Sequence, residues 1–197
     1  MRPRQFTDSE LYEAAREVIL AHGPSVSAKR IAEALGVSAA ALFKRVGTKH
    51  ELIRRALVGV DLPPFIKSLE QGPDDRPVRE QLLERAHEVD TFFTRAMPAI
   101  AMLKAAGFCP ADVFKDQAVP PPIRTLRALA AWFEALRTQG RVTFADSEAI
   151  AVAFLGALQA RHAVRSFLPS YPTGGENYLE TLVDTVLHGI APKESEA

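Results

Sequence analysis

Apolar positions recur along the whole chain at spacings of three and four, the period of a helix rather than the alternation of a strand. Thr7-Asp8-Ser9-Glu10 has capping-box spacing. Leu11, Ala14, Ala15, Val18 and Ile19 then fall on one helical face, and His22-Gly23-Pro24 stops the run. Ser27 caps a second short helix over 27–35 that carries Ile31 and Leu35. Ser38 caps a third over 38–46 directly after Gly36-Val37. Thr48-Lys49-His50-Glu51 repeats the capping-box spacing and opens a fourth helix, which Pro63-Pro64 breaks or bends. After the loop at 71–77 the pattern predicts a long helix over 78–106 kinked at Pro98. It predicts further helices from the Pro120-Pro121-Pro122 run to Gln139, from the Asp146 cap to Leu168, and from Glu176 to His188 with Gly189 as C-cap. Residues 108–119 read as irregular or a short helix, and 191–197 as a disordered tail. The expectation is an all-α fold.

Composition sharpens this picture. The apolar fraction of 47% predicts a folded core. Lys plus Arg balances Asp plus Glu at 24 each, but residues 1–60 hold ten basic against six acidic groups, so the acidic excess lies in the remainder. A basic N-terminal third points to a nucleic-acid module joined to something else. The single cysteine, Cys109, excludes an internal disulfide framework. No apolar run approaches the length of a membrane span, and no apolar stretch follows the basic N-terminus. The expectation is a soluble cytoplasmic protein with no membrane partner.

Candidate chemistry concentrates at the turn between the second and third helices. A short helix, a glycine able to take the left-handed conformation and a capped second helix make helix-turn-helix spacing, with the face of Leu11–Ile19 available as cover. Residues 27–55 hold Lys29, Arg30, Lys44, Arg45, Lys49, Arg54 and Arg55 against Glu33 and Glu51. Such units read the major groove with their second helix and hold phosphates with flanking basic groups. Catalytic and metal readings find no support. No phosphate loop, nucleophile elbow or zinc-helix motif is present, and His87, His162, His188 and Cys109 have no ligand spacing. No enzyme activity, cofactor or metal is expected.

Residues 9–57 resemble the DNA-binding domain of the TetR family of bacterial regulators. The matching residues are Ala14-Ala15, Gly23, Ser27, Ile31-Ala32, Gly36-Val37-Ser38, Leu42-Phe43, Lys49 and Leu52. The resemblance implies a helix-turn-helix reader (1–50), a larger helical effector-binding and dimerisation domain (51–190), a homodimer, and double-stranded operator DNA as partner. Carried onto this chain, the DNA-binding set is Ser27, Lys29, Ser38, Ala39, Ala40, Phe43, Lys44, Arg45 and Lys49. Three positions depart from the family pattern. Phe43 replaces a tyrosine and loses a phosphate hydrogen bond. Arg45-Val46 replaces His-Phe, and Arg45 can take over a phosphate contact. Ala39-Ala40-Ala41 stands where polar base readers often sit, leaving only thymine-methyl contact. Readout then leans on Lys44, on Arg2 and Arg4 in a minor groove, or on DNA shape.

The resemblance also implies an effector cavity among the three longest helices. Its expected walls are Phe92, Phe93, Met97, Ile100, Trp132, Phe133, Phe154 and Leu158, with His162 or the Trp132 indole as polar handle. Arg95 and Glu134 are expected to face solvent or each other. The implied effector is a small hydrophobic molecule, aromatic or acyl-chain in character. A stripe of Ala149, Val152, Ala153, Gly156, Ala157 and Ala160, with Leu179, Leu182, Val183 and Val186 on the last helix, is expected to form a four-helix dimer seam. The expected function is a ligand-released transcriptional repressor. The alternative is a helical ligand-binding or scaffolding protein whose helix-turn-helix no longer reads DNA. The sequence leaves open operator, regulated genes, effector and the sign of regulation.

Overall fold

The computed structural model describes residues 7–59, 63–168 and 170–190. Every regular element among them is a helix: α1 (Asp8–His22), α2 (Ala28–Ala34), α3 (Ala39–Val46), α4 (Lys49–Val58), α5 (Pro64–Glu70), α6 (Val78–Ala105), α7 (Pro110–Val113), α8 (Pro121–Thr138), α9 (Ser147–Phe167) and α10 (Tyr178–Ile190). Arg2, Arg4 and the tail 191–197 lie outside the described residues.

The helix starts follow local chemistry. Thr7 and Glu10 form the complete capping box, with Glu10 N–H donating to Thr7 Oγ1 and Thr7 N–H to Glu10 Oε2. Ser27, Ser38 and Asp146 cap α2, α3 and α9 through their side-chain oxygens. At Thr48 only the hydroxyl half forms: Thr48 Oγ1 accepts from Glu51 N–H, while the Glu51 carboxylate takes the guanidiniums of Arg54 and Arg55. Arginine is a stronger partner for a carboxylate than a backbone amide, so the spacing alone overstates the cap. Two further boundaries differ from the sequence reading. Gly59, at φ 85°, ends α4 before the prolines, and α10 continues through Gly189 to Ile190. α6 stays helical through Pro98.

The described chain forms two compact units. Among the described residues the first comprises 7–59 with 96–118, and the second 63–95 with 119–168 and 170–190. α6 thus contributes residues to both. The core of the first unit contains Leu11, Ala15, Ile19, Ile31, Leu42, Leu52 and Leu57, together with Ala99, Leu103, Phe108 and Val113 from the later segment. The second unit buries Phe133, Phe154, Leu129, Leu136 and Leu158 almost completely. Phe133 meets Trp132, Phe144 and Phe154 edge-on, at centroid distances of 5.4, 6.1 and 6.2 Å. This geometry suits the ring quadrupoles. The loop before α6 is pinned by the buried Gln81. Its amide donates to the carbonyls of Asp74 and Arg76 and accepts from Asp74 N–H.

Candidate nucleic-acid interface

α2 and α3 meet at a turn whose left-handed backbone favours glycine. Gly36 adopts φ 67°, Gly36 N–H donates to Glu33 O, and Val37 N–H donates to Ala32 O. α1 covers the pair, packing on both α2 and α4, and α3 packs on both α2 and α4. Leu42 and Val46 anchor α3 in the core, with Phe43 half-buried beside them. The opposite face of α3 presents Ala40, Ala41, Lys44 and Arg45 to solvent. The sequence places Ser27, Lys29 and Ser38 around that face, and all three are exposed. Ala39 and Lys49 are intermediate.

The basic groups are not equivalent. Lys44 makes no ion pair among the described residues. Lys29 lies 3.8 Å from Glu33, an exposed i, i+4 pair of little worth. Lys49 Nζ donates to the Ser25 carbonyl at 3.1 Å, which pins the α4 N-terminus to the loop after α1. Arg45 is held by Asp8, with Nε donating at 2.8 Å and Nη2 at 2.6 Å. The carboxylate occupies the guanidinium fork where a phosphate would otherwise sit, and exposure makes the pair exchangeable.

Arg54 and Arg55 serve a different purpose from the one their place in the basic cluster suggests. The Arg54 side chain is buried. Nε and Nη2 donate to both oxygens of Glu51, Nη1 donates to the Val113 carbonyl at 3.0 Å, and Nη2 also meets Asp116. Arg55 pairs with Glu51, and Lys115 lies 3.6 Å from the same carboxylate. Hydrogen bonds from Arg54 first, then Arg55, hold the Glu51 carboxyl down at about 2. Glu51 raises the Arg54 guanidinium above its ordinary value. These residues fasten α4 to the segment after α6. His50 adds a stacked contact with Phe108 at 3.9 Å.

The expected effector residues are largely packed core. Trp132, Phe133, Phe154 and Leu158 are buried, Phe93 and His162 nearly so, and Phe92, Met97 and Ile100 are half-buried. By compactness Met97 and Ile100 fall in the first unit, and the others in the second. His162 Nε2 is taken up by Asp90 Oδ1 at 2.7 Å. Glu134 pairs with Arg137, one turn away on its own helix, rather than with Arg95. A pocket of about 270 Å³ does open in the second unit, but of the expected residues only Trp132 lines it, and its other walls are mostly polar.

The expected seam divides in two. Ala149, Val152, Ala153, Gly156 and Ala160 form an exposed apolar stripe on α9, with Val152 56% exposed. On α10, Leu179 and Val183 are buried within the chain, while Leu182 and Val186 are half-buried. Among the described residues no helix is long and apolar enough to cross a membrane, and no cluster of His, Cys, Asp or Glu could hold a metal ion.

A capped helix-turn-helix with a solvent-facing basic helix, on an otherwise all-helical chain, is the arrangement of a DNA-binding helix-turn-helix unit. Residues 11–56 match the family described as bacterial regulatory proteins, tetR family. Over nearly its whole length the chain also has the fold of solved proteins described as members of that family. A protein described as a tetR-family transcriptional regulator from Mesorhizobium loti is similar at a TM-score of 0.73 and 17% identity, over 95% of this chain and 100% of that one. SmeT, described as the repressor of the Stenotrophomonas maltophilia multidrug efflux pump SmeDEF, is similar at 0.68 and 15% identity, over 98% and 94%. It is also known as a triclosan complex. NalD, described as the secondary repressor of the MexAB-OprM multidrug efflux pump in Pseudomonas aeruginosa, is similar at 0.65 and 17%, over 93% and 95%. No curated protein sequence matches the chain significantly.

Proposed function

We propose that this protein is a homodimeric repressor that binds a pseudo-palindromic operator and leaves it when a small molecule with an apolar body enters the second unit. The observation that carries the reading is the outer face of α3. Lys44 projects there with no ion pair among the described residues, on a helix whose other face is locked into the core by Leu42 and Val46. Docking such a helix in a major groove brings Lys44 to base edges and Lys49 and Arg45 to the flanking phosphates. Support for the effector comes from the pocket in the second unit, with Trp132 in its wall, and from the triclosan complex of SmeT. α6 is the one described helix with residues in both units, and Arg54 fastens α4 to the segment that follows it. A shift of α6 on ligand binding therefore has a path to α4, and through α4 to the separation of two reading heads.

The test is a mobility shift on DNA flanking the protein's own gene, repeated across salt concentrations and with hydrophobic compounds added. Saturable, salt-sensitive binding that a compound reverses supports the reading. A second reading rests on Ala39-Ala40-Ala41 and on the Asp8–Arg45 pair, which leave few free base readers. In it the helix-turn-helix is a structural relic on a ligand-binding protein. Binding that is absent at low salt on every flanking sequence would select it.

A further inference from the structure

The pocket in the second unit lies among the end of α5, the loop before α6, the first turns of α6, and Trp132 of α8. Its carboxylates are Asp74, Glu84 and Glu88, against the guanidiniums of Arg76 and Arg85. Two of the three carboxylates are fully served. Asp74 takes Arg76 through both oxygens, and Glu84 takes Arg76 at 2.8 Å and Arg85 at 2.9 Å. Both are held below the ordinary carboxylate range by hydrogen bonds from those arginines. Glu88 differs. Arg85 Nη1 comes within 3.0 Å of Glu88 Oε2, yet the approach lacks hydrogen-bond geometry, and that oxygen is cut off from water without a directed partner. Burial pushes the Glu88 carboxyl up, outweighing the attraction of Arg85. The pocket thus holds one carboxylate, Glu88, whose buried oxygen lacks a directed donor, with Trp132 in its wall. Such a site is completed by a small molecule that brings N–H donors and positive charge to Glu88.

We propose that this pocket binds a small organic cation, of the amine or amidine class, whose N–H groups reach Glu88 and whose body lies toward Trp132. This names the charge and donor character of the effector in the function proposed above, and it rests on that reading only for its regulatory consequence. The binding itself is independent of DNA.

The probe is benzamidinium, titrated into the full-length protein and read through Trp132, the sole tryptophan. Neutral benzamide and anionic benzoate serve as shape-matched controls. The expected result is a saturable fluorescence change with benzamidinium, at least about tenfold weaker with benzamide and absent with benzoate, as expected when a charged hydrogen bond is lost. Glu88→Gln should weaken benzamidinium by about tenfold or more and bring it level with benzamide. If Glu88→Gln does not fold by circular dichroism, the three-probe comparison on the unaltered protein decides alone. Equal binding of all three probes, no saturable signal with benzamidinium, or a folded Glu88→Gln protein that binds it unchanged overturns the proposal. Operator binding is followed in parallel by mobility shift. Benzamidinium that saturates Trp132 but leaves operator affinity unchanged keeps the site and removes its role in release. A protein that binds the cation but no DNA keeps the site and overturns the repressor reading.

Discussion

Two kinds of arginine and lysine share the basic cluster. Lys44 and Lys49 lie at the outer surface and are predicted to act on DNA in different ways. Lys44→Ala should cost about 1–3 kcal/mol on the preferred operator and flatten discrimination between bases, because the proposed docking of α3 turns Lys44 toward base edges. Lys49→Ala should weaken all sequences alike, by less, since Lys49 gives up its bond to Ser25 O to meet a phosphate. Competition mobility shifts with single-base operator variants separate the two. Arg54 contributes to stability instead. Arg54→Ala leaves Glu51 and Asp116 without their shared partner and the Val113 carbonyl without its donor, and should cost about 3–5 kcal/mol in urea unfolding. Acid provides an independent measure. Glu51 is held at about 2 against an ordinary 4.5, so its paired form stabilises the fold fully above that ordinary value. The contribution, about 3 kcal/mol, fades as pH falls from 4.5 toward 2. The variant should show a shallower loss of stability over that interval. An unchanged slope would mean that Glu51 draws its stabilisation from Arg55 and Lys115.

At the level of elements, the turn between α2 and α3 is the feature most sensitive to a small change. Gly36 sits at φ 67° with open space where a Cβ would go, so Gly36→Ala meets strain alone and no clash. About 1 kcal/mol of destabilisation is expected, visible as a lowered melting temperature with the helical spectrum intact. That turn, the caps and the core face of α1 were legible from residues 7–57, because caps, glycine turns and a 3.6-residue period are local signals. What was not legible is long-range. Periodicity identifies Leu103, Phe108 and Val113 as apolar but carries no information on partner. It did not foresee that 96–118 would pack with the reading head. Charge counting likewise placed Arg54 in the basic cluster of 27–55, but its side chain is buried and bonded to Glu51 and the Val113 carbonyl. Glu134, expected to face solvent or Arg95, is partly exposed at the surface, where Arg137 one turn along the same helix pairs with it. The effector site reads as apolar in the sequence because the aromatic and aliphatic residues of α6, α8 and α9 are its expected walls. Those rings largely fill one another's space, and the pocket that remains is walled by the polar turns around Gln81 and Arg85.

For the whole molecule, operator affinity and assembly are predicted to be one property. The α9 stripe of Ala149, Val152, Ala153, Gly156 and Ala160 is exposed in the single chain, more apolar surface than a lone helix needs to show. Pairing it with a second copy would bury it, with Leu182 and Val186 at the margin and Leu179 and Val183 bracing α10 against α9 from within. Gly156 provides a clean test. A Cβ built there meets nothing within 4 Å and the residue is helical, so Gly156→Arg fits the isolated chain. It should even gain roughly 0.5–1 kcal/mol of helix propensity. Across a close helix seam, by contrast, an arginine cannot be accommodated. The variant should therefore be folded and at least as stable at low concentration, monomeric by light scattering, and poor at binding operator. If a dimer neutralises about six to ten phosphates, log K should fall against log salt with a slope of roughly −5 to −9, and the monomeric variant should show about half of it. A Gly156→Arg protein that remains dimeric places the seam elsewhere. One that is monomeric yet keeps the full salt slope would show that a single reading head makes all the phosphate contacts.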